Sequence, residues 1–112
     1  MKYLSTRNDK LNESFRDILF QGLSKDGGLF LPKEWPLLDI ENLKGKSYQE
    51  VALNIIMPFV DNEISKDEMY EIICSSYNKF NHPQIAPLVK LEDNKYILEL
   101  FYGPTFAFKD YA

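Results

Sequence analysis

At 112 residues, with 45% hydrophobic and 14% aromatic side chains, the chain has the apolar content for one domain around one core, which excludes intrinsic disorder. Thirteen basic against 17 acidic side chains leave a net charge of −4 and no basic run longer than two residues, so the clustered cationic face of a nucleic-acid binder is missing. A lone cysteine, Cys74, permits no intrachain disulfide, no apolar run nears the ~20 residues of a membrane span, and the start MKYLSTRNDKLNES lacks a signal-peptide core; the chain reads as cytoplasmic.

Lys2 to Thr6 predicts a short edge strand, and Asn8-Asp9 a turn after it. Asn12 is expected to N-cap a first helix that ends near Gly22, with Phe15, Ile18 and Leu19 on its buried stripe. Ser24 to Gly28 reads as a turn, and Leu29-Phe30-Leu31 as a strand closed by Pro32. Glu34 to Lys46 reads as irregular, with one helical turn near Asp39 to Leu43.

Two further helices are better marked. Ser47 and Glu50, and again Ser65 and Glu68, have the S-x-x-E spacing of a capping box. After the first, Tyr48, Val51, Ala52, Ile55, Ile56 and Phe59 share a face, and Pro58 is expected to end or kink the helix. After the second, Met69, Ile72, Ile73, Tyr77 and Phe80 do the same, and Asn81-His82-Pro83 closes it. Both stripes read as core. Leu88 to Leu91 and Tyr96 to Phe101 read as strands around an Asp93-Asn94-Lys95 turn. The fold expected from the residues is mixed α and β, about three helices with short strands at both ends.

The chemistry concentrates in the last twelve or so residues, where a strand runs into Gly103-Pro104 and Lys109 then stands among Phe106, Phe108 and Tyr111. An amine in a dry setting is more easily neutral, and a neutral amine attacks an aldehyde to form a Schiff base. The residues alone leave a second reading open: a solvated lysine beside Asp110 at a helix start. His82, the only histidine, has no partners at metal-ligand spacing and suits a helix end; Cys74 has no neighbouring cation and reads as structural.

Glu99-Leu100-Phe101-Tyr102-Gly103-Pro104-Thr105-Phe106-Ala107-Phe108-Lys109-Asp110 closely resembles the cofactor-lysine segment of threonine synthases. Tyr3-Leu4-Ser5-Thr6-Arg7 resembles the family's opening Y-x-S-T-R, and Gly22 to Pro32 its G-L-x-x-D-G-G-L-y-x-P. Ser47-Tyr48 to Ala52 and Tyr77 to Phe80 resemble its S-Y-x-E-x-A and Y-x-x-F. These matches run in order along essentially the whole chain. Two positions depart from the pattern. Asn8 stands where the family usually has glycine, and asparagine tolerates positive φ. Tyr102 stands where it often has histidine, and a phenol is no cation at neutral pH.

The resemblance implies an α/β fold of fold-type II, tryptophan-synthase-β-like. Residues 1–92 would form the amino-terminal domain and 93–112 the truncated start of the catalytic domain. It implies pyridoxal 5'-phosphate as cofactor, Lys109 as the Schiff-base and proton-shuttling lysine, and conversion of O-phospho-L-homoserine and water to L-threonine and phosphate. Thr105 and Asp110 are candidates for shaping the cofactor pocket, with local turn and capping roles as the alternative. Ser5, Thr6 and Arg7 suit an anionic substrate, with a surface ion pair of Arg7 as the alternative. The cofactor's phosphate cradle and the partner of its ring nitrogen are not visible, and the chain stops three residues past Lys109. It therefore reads as the front of a longer enzyme, inactive by itself. A stand-alone binding or oligomer-contact module derived from the family remains the alternative.

Overall fold

The computed structural model describes residues 1–111. The front of the chain is a three-stranded antiparallel sheet of β1 (Tyr3–Ser5), β2 (Asn8–Glu13) and β3 (Phe30–Pro32), in the order β2-β1-β3. Tyr3 pairs with Glu13 on one side and Pro32 on the other; Ser5 pairs with Asn8 and Phe30. Three expectations are corrected here. The first strand is central rather than an edge. The turn falls at Thr6-Arg7, between the paired Ser5 and Asn8, and Asn8 itself is in a strand with no positive φ. The segment Asn8–Glu13, with little intrinsic β propensity, is a strand because it pairs with β1; pairing outweighs composition in sheets.

The first helix, α1 (Phe15–Gln21), consequently starts two residues later than expected, with Ser14 as its N-cap and Asp17 completing a capping box. Glu63, from beyond the next helix, accepts the amides of Phe15 and Arg16 at 2.9 Å each, so two more of the orphan donors are satisfied from a distance. Gly22 ends α1 at φ 68, as its place in the sequence requires. One 3-10 turn at Glu41–Leu43 interrupts the irregular stretch, and its first amide, that of Glu41, donates to Asp39 Oδ1 at 3.1 Å.

α2 (Tyr48–Val60) and α3 (Lys66–Tyr77) both begin at the predicted capping boxes. Pro58 lies inside α2, two residues before its end, and Asp61 at φ 54 turns the chain out. α2 and α3 pack on each other around Leu53, Val60, Met69 and Ile73, with Phe15, Ile56, Met57 and Tyr77 at the margin. The helical period is right, but the buried face of α2 is rotated from the predicted stripe. Leu53 and Val60 are its buried residues, whereas Ile55 and, on α3, Ile72 are exposed, as is Leu19 of α1. The sheet joins this core through Tyr3, whose hydroxyl donates to the Phe59 carbonyl at 2.6 Å.

Beyond the helices, β4 (Leu88–Glu92) and β5 (Lys95–Leu98) form an antiparallel hairpin with Asn94 at φ 63 in its turn. They pair with each other across the expected boundary at residue 92. Every residue of both strands is exposed, although Leu88, Val89, Leu91, Ile97 and Leu98 are apolar. β5 is shorter than expected: Glu99 leaves the ladder and its amide donates to the Pro87 carbonyl. No helix is long and apolar enough to cross a membrane.

Candidate functional site

Lys109 lies on a single 3-10 turn, Phe108–Tyr111, reached from β5 through Gly103-Pro104. Its side chain is exposed and, among the described residues, enters no ion pair. Phe106 and Phe108 stand 72% and 66% exposed beside it. An exposed amine that enters no ion pair among the described residues, preceded in the chain by two exposed phenylalanines, is a set that fits a planar aldehyde cofactor: the nitrogen supplies the attachment and the rings supply apolar surface.

The turn carrying the lysine is fastened by Asp110. Its carboxylate accepts the Thr105 amide at 2.8 Å and the Thr105 hydroxyl at 2.6 Å. Phe106, at φ 60, donates its amide to the Gly103 carbonyl at 3.1 Å. Gly103 is buried against the same carboxyl: a methyl there would come within 2.5 Å of Asp110 Cβ. Thr105 and Asp110 are thus brought together, one turn across from each other, with their polar atoms directed into the loop.

Tyr102 also turns inward. Its hydroxyl donates to Glu99 at 2.9 Å, and that hydrogen bond pushes the phenol pKa above its usual value. Its ring lies 4.6 Å from that of His82. His82 itself accepts the Gln84 amide through Nδ1 at 3.1 Å, so it caps the following loop rather than the carbonyls of α3. Cys74 is a half-buried free thiol on α3, and no cluster of three metal-ligating side chains occurs among the described residues.

Ser5, Thr6 and Arg7 assemble on a different loop, Asp26 to Leu29. Ser5, 1% exposed, donates its hydroxyl to Asp26 Oδ1 at 2.8 Å. The Gly28 amide reaches the same oxygen at 2.8 Å, and these two donors hold the Asp26 carboxyl below its usual range, the amide contributing most. Thr6 accepts the Leu29 amide at 2.9 Å, and Arg7 Nη1 donates to the Asp26 carbonyl at 2.9 Å. The opening motif and the D-G-G loop are one hydrogen-bonded unit. The sequence motifs were visible separately, but nothing in their spacing of about twenty residues says that they meet.

Gly28 is the close approach in that unit. A methyl there would overlap Ser5 Oγ and stand 3.0 Å from both Asp26 Oδ1 and Thr6 Oγ1. Ser5 has no solvent-side space into which to move. Gly28→Ala is therefore expected to lower stability by about 1–3 kcal/mol, read as the shift of the urea midpoint, and a shift below about 0.5 kcal/mol would contradict this packing.

For two residues that the sequence did single out, the link to the site was not legible. Tyr111 links the lysine turn to the helical core, and Tyr77, read as core, reaches it: the Tyr77 hydroxyl donates to the Tyr111 carbonyl at 3.3 Å. The only signal was an aromatic two positions past Lys109. A cleft of about 390 Å³ lies alongside, lined among others by Phe80, Pro104, Asp110 and Tyr111.

This architecture, a mixed α/β unit of three helices and short strands that presents an open lysine, is that of the fold-type II class. In solved structures the chain superimposes on a PLP-bound threonine synthase from Brucella melitensis with TM-score 0.93 and 45% identity, covering 98% of this chain and 24% of that one. It superimposes on yeast threonine synthase with TM-score 0.89 and 37% identity, covering 97% and 23%. In sequence it is 45% identical to threonine synthase of Schizosaccharomyces pombe over all of this chain and 23% of that protein, and 40% identical to that of Pseudomonas aeruginosa over all of this chain and 24% of that protein. Residues 2–77 match the family model described as threonine synthase N terminus. The chain belongs to the threonine synthase family and corresponds to its amino-terminal region. It spans 23–26% of the length of the curated relatives it matches.

Proposed function

We infer that the chain is the amino-terminal part of a threonine synthase that binds pyridoxal 5'-phosphate through Lys109 and converts O-phospho-L-homoserine and water to L-threonine and phosphate. The observation that supports this most is the exposed Lys109 amine, which enters no ion pair among the described residues and is preceded in the chain by the exposed Phe106 and Phe108. When bound, the cofactor supplies an electron sink for carbanions formed on the substrate. The chain's own residues bind, orient and move protons. Lys109 would hold the cofactor through its aldehyde, and its nitrogen would serve as the base that moves protons on the substrate. Asp110 and Thr105 keep the turn closed so that this nitrogen is aimed. Phe106 and Phe108 exclude water once covered.

Of the opening triplet, Arg7 is the group suited to the substrate anion. One of its nitrogens is held by the Asp26 carbonyl, which orients the guanidinium while leaving other N–H donors for a phosphate. Ser5 and Thr6 support it by closing the loop beneath. Residues 1–92 act as the front domain and 93–112 begin the catalytic one, whose remainder covers the apolar β4–β5 hairpin; a two-stranded hairpin with both faces in water is marginal by itself. The 112-residue chain alone is expected to make no threonine. A cytoplasmic location is the reading that a lone, unpaired cysteine favours.

The test is the native protein from its source cells, treated with borohydride to lock any imine between lysine and cofactor. The expected result is a protein several times 13.1 kDa with one cofactor's mass on the peptide containing Lys109, releasing equal amounts of phosphate and threonine from O-phospho-L-homoserine. A native mass near 13.1 kDa without adduct would overturn the reading in favour of a non-catalytic module.

A further inference from the structure

Lys109 sits on one 3-10 turn, and a turn of that length has too few internal hydrogen bonds to fix its own position. What fixes it comes from the helices. Tyr48 of α2 meets Tyr77 of α3 edge-on at 4.9 Å; Tyr77 meets Phe80 at 5.2 Å; Phe80 meets Tyr111 edge-on at 4.8 Å. Centroid distances of this kind with tilted planes are the favourable geometry for aromatic pairs. Burial, with Tyr77 alongside, pushes the Tyr48 phenol pKa up, so that hydroxyl stays neutral.

Hydrogen bonds lock the far end. The Tyr111 hydroxyl donates to the Ile85 carbonyl at 2.9 Å and accepts the Tyr102 amide at 3.3 Å, while the Tyr102 carbonyl accepts the Asn81 amide at 2.9 Å. Both flanks of the lysine loop, Tyr102 and Tyr111, are thereby tied to the end of α3 and the loop after it. Asp110 closes the loop on itself; the aromatic column sets where the closed loop stands.

We propose that Tyr77, Phe80 and Tyr111 are positioning residues for Lys109, transmitting the register of the α2–α3 core to the cofactor-binding nitrogen. This rests on the reading of Lys109 given above. It assigns a task to the S-Y and Y-x-x-F motifs that core packing alone does not: they hold the site from behind.

The test uses the full-length enzyme and Tyr111→Phe, which keeps the ring and removes the hydroxyl shared by Ile85 and Tyr102. In cofactor-free protein, hydrogen exchange of the Tyr102 amide and of residues 105–110 is expected to accelerate roughly tenfold, the loss of one or two ordinary hydrogen bonds. In the loaded enzyme the pH midpoint of the cofactor's absorbance is expected to move, with kcat down about tenfold and KM nearly unchanged. Tyr111→Leu, which also breaks the column, is expected to lower kcat by on the order of 10²-fold. Wild-type exchange and a wild-type absorbance midpoint in both variants, with the borohydride adduct still at Lys109, would overturn the inference alone. Absence of that adduct in the wild-type enzyme would overturn the reading of Lys109 and this inference with it.

Discussion

Lys109→Ala in the full-length enzyme is expected to abolish the borohydride-stable adduct and to lower threonine formation by on the order of 10²–10⁴-fold, the range for removal of a positioned acid–base group. The reasoning is chemical before it is structural. The nitrogen is asked to do two things, attach an aldehyde and later carry a proton, and alanine can do neither. Lys109→Arg separates charge from nucleophilicity: a guanidinium keeps the cation but is never neutral near pH 7, so it should be as inactive as alanine. Circular dichroism should not change in either variant, because the side chain is exposed and enters no ion pair among the described residues. An adduct that persists in Lys109→Ala would move the cofactor to another lysine and remove the central claim.

Gly103→Ala should be nearly as damaging to turnover while leaving every polar group of the site in place. The added methyl would come within 2.5 Å of Asp110 Cβ, and Asp110 is held by two short bonds to Thr105. Either the bonds break or the turn shifts, and a displacement of about 1 Å at a reacting group costs on the order of 10²-fold. The loss should appear in kcat, with cofactor still attached to Lys109. Gly45→Ala is the control. Gly45 has φ 75, and a methyl added there would meet nothing within 4 Å, so the substitution should cost about 1–2 kcal/mol of backbone strain and leave kcat unchanged. Equal kcat losses in the two variants would mean that turnover follows global stability rather than the fit at Gly103.

The amino-acid sequence by itself determined the starts of α2 and α3 and the positive-φ positions at Gly22 and Asn94. The two S-x-x-E boxes sit where α2 and α3 begin, because a capping box is satisfied by residues three apart and needs nothing from elsewhere. Gly22 and Asn94 occupy positive-φ positions for the same local reason. The motifs from Tyr3 to Asp110 were enough to name the family and to single out Lys109. Tertiary structure decided what depended on partners distant in the chain. Asn8–Glu13 is a strand because β1 is beside it, and α1 is shortened accordingly. Leu53 and Val60, not Ile55, face α3, since a stripe's period fixes which residues share a face but not which face meets a neighbour. The union of Ser5-Thr6-Arg7 with Asp26-Gly27-Gly28, and of Tyr77 and Phe80 with Tyr111, joins residues twenty to thirty or so positions apart. Such contacts exist only once the core has packed, because hydrogen bonds and ring contacts report spatial proximity, and a linear pattern encodes proximity only over a turn or two of helix or strand.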